Sequence, residues 1–279
     1  MSDRVTVSVT DGVADVRMNR PDKLNALDPA MFAALGEAGD AIAADPSVRA
    51  VVLSGEGRGF CAGLDFGSFQ SMAERGGPKQ GDGDGGGERK VDLGARPEGR
   101  ITNTGQHAVY VWTSMPAPVI AAVHGVALGG GCQIALGADL RIVAPDARMS
   151  VLEIRWGLVP DMCGTQLLPR LVGLDVAKEL TFTGRMVEGT EAVQIGLATK
   201  LSDDPRAAAL EMAGEIAAKN PHAVRGAKSL LELAGEASLE DGFKAEERTI
   251  SSLIGTPNQV EAVMAYFEKR DPVFTDPTP

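Results

Sequence analysis

The stretch Ala127-Leu128-Gly129-Gly130-Gly131-Cys132-Gln133 follows an apolar, β-branched run at residues 119–123 and leads into a short helical pattern at residues 131–136. We therefore predict a buried strand, a Gly-rich turn and a helix, in that order. Successive glycines let a ligand approach the bare backbone, and the first turn of a helix presents unpaired N–H groups at the positive end of its dipole. The stretch is a candidate receptor for an anion or an oxyanion. The alternative is that the glycines only allow the helix to pack closely on the sheet.

Strand and helix patterns alternate on both sides of this stretch, which predicts an α/β core. Residues 5–9 and 13–18 form alternating strands that meet at Asp11-Gly12, a strong hairpin signal. Asp28-Pro29 opens a helix that ends near residue 44. The other predicted core elements are a strand at 48–53, a helix at 101–114 and a strand at 140–143.

After Thr165 the pattern is mostly helical. Apolar residues recur at helical spacing in segments at residues 207–218, 223–233, 239–253 and 259–268. Residues 76–100 are rich in Gly and cannot bury enough apolar surface to offset their ordering entropy, so we expect a mobile loop there. We predict an α/β core over residues 1–200 and a helical region over residues 201–279.

Charge and composition argue against several classes of protein. The chain has 27 basic and 38 acidic side chains, a net charge of −11 and no basic block, which argues against nucleic acid as a partner. Its three histidines and three cysteines are scattered, which predicts no metal site and suits a reducing compartment. Polar residues interrupt the apolar segment at 117–144, and residues 1–9 lack the apolar centre of a signal peptide. We expect a cytoplasmic protein without a membrane segment.

A second turn, Gly59-Phe60-Cys61-Ala62-Gly63-Leu64-Asp65, follows the strand at 48–53. Its small residues expose backbone N–H groups around Gly63 and Leu64. Taken alone, the segment could be any turn. An oxyanion hole needs two donors that converge on one oxygen, so the two Gly-rich turns matter as a pair.

Two carboxylates, Glu153 and Asp161, stand eight residues apart in a segment interrupted by Gly and Pro. Such an irregular segment can aim both at one pocket, where burial raises the pKa of a carboxyl group toward the working pH of an acid or base. The alternative is structural. In that case Glu153 pairs with Arg155 or Arg141, and Asp161 caps the helix that starts near residue 164.

Two further segments carry cations. The link at residues 19–27 contains Arg20 and Lys23, which could meet a phosphate; the alternative is a solvated loop whose Asn25 bonds to the backbone. The run at residues 266–270 places an aromatic ring beside two cations, which could stack on a purine and contact phosphate. The alternative is a helix end whose cations complement the dipole.

Taken in order, these segments resemble the crotonase family, the enoyl-CoA hydratases and isomerases. The resemblance runs from about residue 5 to residue 274, with residues 76–100 as an expanded, unmatched loop. It rests on four motifs in register: residues 19–27, residues 60–65, residues 127–132 and the run from Glu153 to Gln166. It implies a spiral of ββα units and a helical carboxyl-terminal region that assembles homotrimers or hexamers. It also implies an acyl-CoA thioester as substrate, with coenzyme A belonging to the substrate and no further cofactor.

The resemblance also assigns roles to individual residues. The backbone N–H groups of Leu64 and Gly130 would form the oxyanion hole that polarises the thioester carbonyl and stabilises an enolate. The acid and base groups would be Glu153 and Asp161. The residues that would border coenzyme A are Lys23, Ala26, Ala62 and Asp65, together with Tyr266 and Lys269, which a neighbouring subunit could supply.

One position departs from the family pattern. Hydratases of this family carry a catalytic glutamate where this chain has Gln133, and an amide can position a water but cannot accept its proton at pH 7. The spacing of Glu153 and Asp161 resembles that of the dienoyl-CoA isomerases, which carry a further acid at the position of Gln133. The resemblance therefore favours double-bond isomerisation slightly. The alternatives are a 2-enoyl-CoA hydratase that uses Glu153 alone, with Gln133 holding water, and a non-catalytic acyl-CoA-binding relative.

Overall fold

A six-stranded sheet forms the centre of the fold in the computed structural model, which describes residues 3–65, 67 and 92–278. The strand order is β1-β2-β3-β4-β6-β9, with β1 antiparallel to β2 and the other pairs parallel. Both residues of the Asp11-Gly12 turn have positive φ, as a tight hairpin turn requires. The strands are β1 (Val5–Thr10), β2 (Val13–Met18), β3 (Ala50–Gly55), β4 (Val119–Val123), β6 (Leu140–Val143) and β9 (Lys200–Leu201).

A smaller sheet lies beside the first and contains β5 (Val126–Leu128), β7 (Arg148–Ser150) and β8 (Val187–Glu188). The chain passes from the large sheet to the small one twice, from β4 to β5 and from β6 to β7. A helix follows β5, so β4, β5 and that helix make one ββα unit of the predicted kind.

Helices cover the sheets and make up most of the carboxyl-terminal part of the described chain. They are α1 (Pro29–Ala43), α2 (Thr104–Thr113), α3 (Gly130–Leu136), α4 (Gly164–Val172), α5 (Leu174–Thr183), α6 (Gly189–Gln194), α7 (Pro205–Ala217), α8 (Pro221–Leu233), α9 (Leu239–Leu253) and α10 (Pro257–Glu268). Short 3-10 helices occur at Pro21–Lys23 and Glu153–Trp156.

The predicted strands and helices are confirmed, but residues 126–128 form a further strand, β5, where only a turn was predicted between the strand at 119–123 and the helix. The boundaries differ where capping decides them. Helices α7, α8 and α10 begin two residues earlier than predicted because Pro205, Pro221 and Pro257 occupy their first turns. Helix α2 begins at Thr104 rather than residue 101, since Asn103 and Gln106 form a reciprocal capping box. Strand β3 continues to Gly55 because it pairs with β2 along its whole length.

Helix α7 packs on one face of the large sheet, where Ala209 and Ala213 contact side chains of β3, β4 and β6. It thus contributes to the core, although it lies beyond residue 200; the predicted division of the chain at that point stays a prediction. Residues 76–91 of the predicted mobile loop lie outside the described residues. In the part of the chain that the structure describes, no helix is long and apolar enough to span a bilayer.

Candidate active site

The two Gly-rich turns lie side by side, one after β3 and the other at the carboxyl end of β5. The amide of Cys61 donates to the carbonyl of Val126 at 2.9 Å, and the amide of Leu128 donates to the carbonyl of Cys61 at 2.9 Å. These bonds pair Cys61 with Ala127 in parallel register. Leu64 lies three residues after Cys61, and Gly130 lies three residues after Ala127.

The amides of Leu64 and Gly130 are both available for a ligand. Leu64 pairs in parallel with Leu27, through the amide of Leu27 to the carbonyl of Gly63 (2.8 Å) and the amide of Asp65 to the carbonyl of Leu27 (3.0 Å). This pattern leaves the N–H of Leu64 without an acceptor among the described residues. Gly130 is the first residue of α3, where an amide has no partner inside the helix. An oxyanion hole needs two donors of this kind.

Bare backbone is essential where the two turns meet. A Cβ on Gly63, whose φ is +85°, would lie 2.5 Å from the carbonyl oxygen of Leu128 and 3.7 Å from the nitrogen of Gly130. A Cβ on Gly131 would lie 2.4 Å from the carbonyl oxygen of Cys61. At Gly131, the absence of a side chain allows the helix to pack closely on the second turn, as the alternative interpretation predicted. The amide of Gly130 can still bind a ligand.

Glu153 is buried directly beside this pair of amides. It follows β7, and its Oε1 atom would lie 3.4 Å from a Cβ on Gly129. Oε1 accepts a hydrogen bond from Nε2 of Gln133 at 2.6 Å, whereas the buried Oε2 atom has no partner in the described part of the chain. Burial raises the pKa of the Glu153 carboxyl, and the charge of Asp161 adds to that effect.

The alternative in which Glu153 pairs with Arg155 or Arg141 is wrong. The guanidinium of Arg141 is buried and donates instead to the carbonyl oxygens of Leu197 (2.9 Å) and Ala138 (2.6 Å). No ion pair joins Glu153 to Arg155 or to any other cation that the structure describes. Among the residues that the structure describes, the carboxylate is therefore buried without a counter-ion, which is an unusual and costly arrangement.

Gln133 is fully buried and connects the Gly-rich helix α3 to the segment that carries both carboxylates. Its Oε1 atom accepts hydrogen bonds from the amides of Met162 and Gly164, each at 2.9 Å. Because backbone amides can only donate, this atom must be the carbonyl oxygen, and Nε2 must face Glu153. Gln133 thereby sets the position of Glu153 relative to the turn at residues 161–164.

Asp161 lies on that turn and is exposed, in contrast to Glu153. It does not cap α4, because the helix begins after Cys163, which has a positive φ of 68° and provides no capping bond. Asp161 instead lines an open cavity of about 860 Å³. One carboxylate is thus buried beside the amide pair, and the other faces a cavity.

Asn25 holds the site together through bonds to the backbone, which the sequence predicted only as the alternative for its segment. This fully buried amide donates to the carbonyl oxygens of Glu56, Gly59 and Phe60, and accepts from the amide of Arg20. The interpretation of the segment as a solvated loop is wrong at Asn25, although its bonds to the backbone were correctly predicted as the alternative. In the sequence, the sign of this role is an Asn within the turn-forming link at residues 19–27.

The residues predicted to border coenzyme A fall into two groups. The link and the second turn lie together, since the amide of Ala62 donates to the carbonyl of Leu24 at 2.9 Å and Arg20 pairs with Asp65 at 2.6 Å. Lys23 is exposed there, and Ala26 is buried. Tyr266 and Lys269 are exposed at the end of α10, and no hydrogen bond or ion pair of the described residues joins them to the turns.

The chain after α10 is anchored at the other end of the sheet. Asn258 bonds to Thr275, and Arg49 donates to Asp276 (2.6 Å) and to the carbonyl of Phe274 (2.8 Å). Arg49 immediately precedes β3, whereas the site turn follows that strand. A strand of this length separates its two ends by roughly 20 Å.

Cys61 and Cys132 offer no nucleophile to this site. Burial raises the pKa of the Cys61 and Cys132 thiols to about 12, so both stay protonated. The described residues contain no cluster of three or more His, Cys, Asp or Glu side chains that could hold a metal ion.

Comparison with known proteins identifies the class. A family model described as enoyl-CoA hydratase/isomerase matches residues 13–276. A putative enoyl-CoA hydratase of Thermus thermophilus is 36% identical over 94% of this chain and 97% of its own length. The mitochondrial methylglutaconyl-CoA hydratase of Mus musculus is 31% identical over 94% of this chain and 79% of its own length. A solved enoyl-CoA hydratase from Bacillus anthracis is 31% identical, with a TM-score of 0.83 over 97% of this chain and 98% of that one.

The fold and the matching family model thus define an α/β enzyme that handles acyl-CoA thioesters. The chain belongs to the enoyl-CoA hydratase/isomerase family. The predicted crotonase-like fold is confirmed by the solved structures. The similar proteins are named as enzymes, so the chain is an enzyme of this family and not the non-catalytic acyl-CoA-binding relative considered as an alternative.

Proposed function

We propose that the enzyme isomerises an enoyl-CoA thioester through an enolate. The thioester oxygen lies between the amides of Leu64 and Gly130. One carboxylate removes a proton from C2, the electron pair delocalises onto the thioester oxygen, and the other carboxyl returns a proton to C4 as the double bond moves. The observation that carries this proposal is the buried Glu153 carboxylate, which has one oxygen held by Gln133 and the other without a partner among the described residues.

The hydrogen bonds of Gln133 favour isomerisation over hydration. Hydration needs a base that takes a proton from water while an acid supplies one to the substrate. The carbonyl oxygen of Gln133 already accepts from Met162 and Gly164, and an amide nitrogen only donates. Gln133 is therefore a positioning residue in this proposal, and the acid and base are Glu153 and Asp161.

Hydration is the second candidate, because the similar proteins from Thermus thermophilus and Mus musculus carry hydratase names. In that case Glu153 acts alone, and the second N–H of Gln133 holds the water. Incubation with 2-enoyl, 3-enoyl and dienoyl thioesters in D₂O separates the two candidates by product mass. We expect deuterium exchange without addition of water; a product heavier by one D₂O from a 2-enoyl thioester would contradict isomerisation.

The variant Gln133→Glu is expected to raise the hydration rate of crotonyl-CoA relative to wild type and to shift the pH profile. The substitution removes the N–H that stabilises ionised Glu153 and adds a second negative charge, so the pKa of Glu153 rises further. In the pH profile of kcat/KM, the fall on the acidic side, which comes from protonation of the base, should move to higher pH. The exposed Gln194→Glu controls for the added charge. A wild type that already hydrates as fast as the variant would refute the idea that the missing acid limits hydration.

We also propose that coenzyme A contacts Lys23, Ala26, Ala62 and Asp65 of one chain and Tyr266 and Lys269 of a neighbouring copy, in a homotrimer or hexamer. Anchoring of the tail at the far end of the sheet supports this arrangement. So do large apolar side chains on the carboxyl-terminal helices that are more than half exposed, among them Leu231, Leu239, Phe243, Ile250, Ile254 and Phe267. The proposed reaction uses coenzyme A as part of the substrate and no further cofactor.

A further inference from the structure

Arg20, one of the two cations predicted as candidates for a phosphate contact, is engaged within the protein itself. Only 15% of its side chain is exposed. Its Nη1 atom donates to the carboxylate of Asp65 at 2.6 Å and to the carbonyl oxygen of Ala26 at 3.1 Å. These two acceptors adjoin Leu27 and Leu64, the residues that pair the link with the second turn. The guanidinium therefore acts on that pairing.

Two peptide groups in series connect this guanidinium to the amide of Leu64. The carbonyl of Ala26 and the amide of Leu27 belong to one peptide group, and that amide donates to the carbonyl of Gly63 at 2.8 Å. The carbonyl of Gly63 and the amide of Leu64 belong to the next peptide group. Arg20 thus stands at one end of a hydrogen-bonded chain whose other end is the N–H that the proposed function uses as an oxyanion donor.

The planarity of peptide groups makes this chain stiff. In a trans peptide group the C=O and N–H bonds lie in one plane and point in opposite directions, so a fixed carbonyl also fixes the direction of the amide. Hydrogen bonds in series polarise one another, so a donor at the start strengthens the N–H at the end. The carboxylate of Asp65 offsets part of the polarisation by Arg20 but holds the guanidinium in place, so the direction of the Leu64 amide is the larger effect.

The main chain of Arg20 is fixed as well. Its amide donates to Oδ1 of Asn25 at 2.8 Å, and its carbonyl accepts from the amide of Asn25 at 2.9 Å. Asn25 is fully buried and donates to carbonyl oxygens of the segment at residues 56–60. A side chain that must hold a reacting group in place needs such support from its surroundings.

We propose that Arg20 is a positioning residue of the oxyanion hole, which sets the direction and the donor strength of the Leu64 N–H through two peptide groups. The inference rests on the proposed function, because it assumes that the thioester oxygen accepts a hydrogen bond from this amide. It assigns Arg20 to the thioester carbonyl and not to a phosphate of coenzyme A.

A saturated acyl-CoA labelled with ¹³C at C1 tests the inference, since it binds without net reaction. Donors that converge on the carbonyl oxygen polarise the carbonyl and move its ¹³C resonance downfield when the ligand binds to wild type. We expect Arg20→Gln to lose most of this shift and to lower kcat by about 10- to 100-fold, because a misplacement of about 1 Å can cost that much. The shift is read from bound ligand alone, so a smaller folded fraction does not change it.

Two further variants separate positioning from a general loss of stability. Arg20→Lys should keep more of the shift than Arg20→Gln, because both bonds of Arg20 come from a single nitrogen that an ammonium group can replace. Arg206→Gln is the matched control, since Arg206 on α7 pairs with the buried carboxylate of Asp15. It should keep the shift and the kcat of wild type.

An unchanged shift in Arg20→Gln would overturn the inference, whatever the effect on stability. If that variant also binds free coenzyme A more weakly than wild type does, Arg20 is a phosphate ligand instead. If wild type itself shows no downfield shift on binding, the amides of Leu64 and Gly130 do not hold the thioester oxygen. In that case the proposed function is wrong, and the role of Arg20 is wrong with it.

Discussion

Glu153→Gln is expected to lower kcat by about 10²–10⁴, the usual contribution of a positioned acid or base. The amide keeps an oxygen that can accept the hydrogen bond from Gln133, but it can no longer take up the proton of the substrate. Steady-state kinetics on the best thioester of the panel measure the loss. Calorimetry with an acyl-CoA should show binding within a few-fold of wild type, since the thioester is held by backbone amides.

The same variant should be at least as heat-stable as wild type at pH 7. Because burial raises the folded-state pKa of Glu153 above its unfolded value, the carboxyl contributes most stability when protonated, and this contribution is lost as pH rises through the folded pKa. At pH 7 the variant removes that unfavourable charge, and near pH 3 the difference should vanish. Glu240→Gln, at an exposed carboxylate on α9, controls for loss of charge. If Glu153→Gln turns over its substrate at the wild-type rate, Glu153 is neither the acid nor the base of the reaction.

Gly63→Ala is expected to lower kcat by about 10²–10³, which is the cost of losing one oxyanion donor. The new Cβ would lie 2.5 Å from the carbonyl oxygen of Leu128, so the two turns must separate and the neighbouring amide of Leu64 must move relative to Gly130. We also expect a lower thermal midpoint, since a φ of +85° strains any residue with a Cβ.

Gly255→Ala separates these two effects. Its φ is +77°, which imposes a similar strain, but a Cβ there meets no atom of the described residues within 4 Å. It should lower the thermal midpoint and leave kcat near the wild-type value. If Gly63→Ala retains full kcat, the amide of Leu64 does not act as an oxyanion donor.

The segments that decide the fold could be predicted from local pattern. Residues 5–18, with Asp11-Gly12 between two alternating stretches, specify a hairpin through contacts that lie close in sequence. Asp28 and Pro29 specify the start of α1 in the same way, and the Asp28 side chain accepts a hydrogen bond from the amide of Met31 at 2.8 Å. The order of the motifs then led to the family.

The candidate site was predictable only in part. The sequence predicted that Glu153, Asp161 and the two Gly-rich turns belong to one site. It did not distinguish their environments, because a buried carboxylate and an exposed one look the same in a sequence.

By itself the sequence determined the elements, the motif order and the family, because capping, turn and strand signals depend on near neighbours. Only the tertiary structure decided that Gln133 holds Glu153 and the turn at residues 161–164, that Asn25 secures the second turn, and that one oxygen of Glu153 has no partner in the described part of the chain. These features join residues that lie 20 or more positions apart in the chain. They depend on which donors and acceptors meet after the sheets have packed, and no local pattern encodes that.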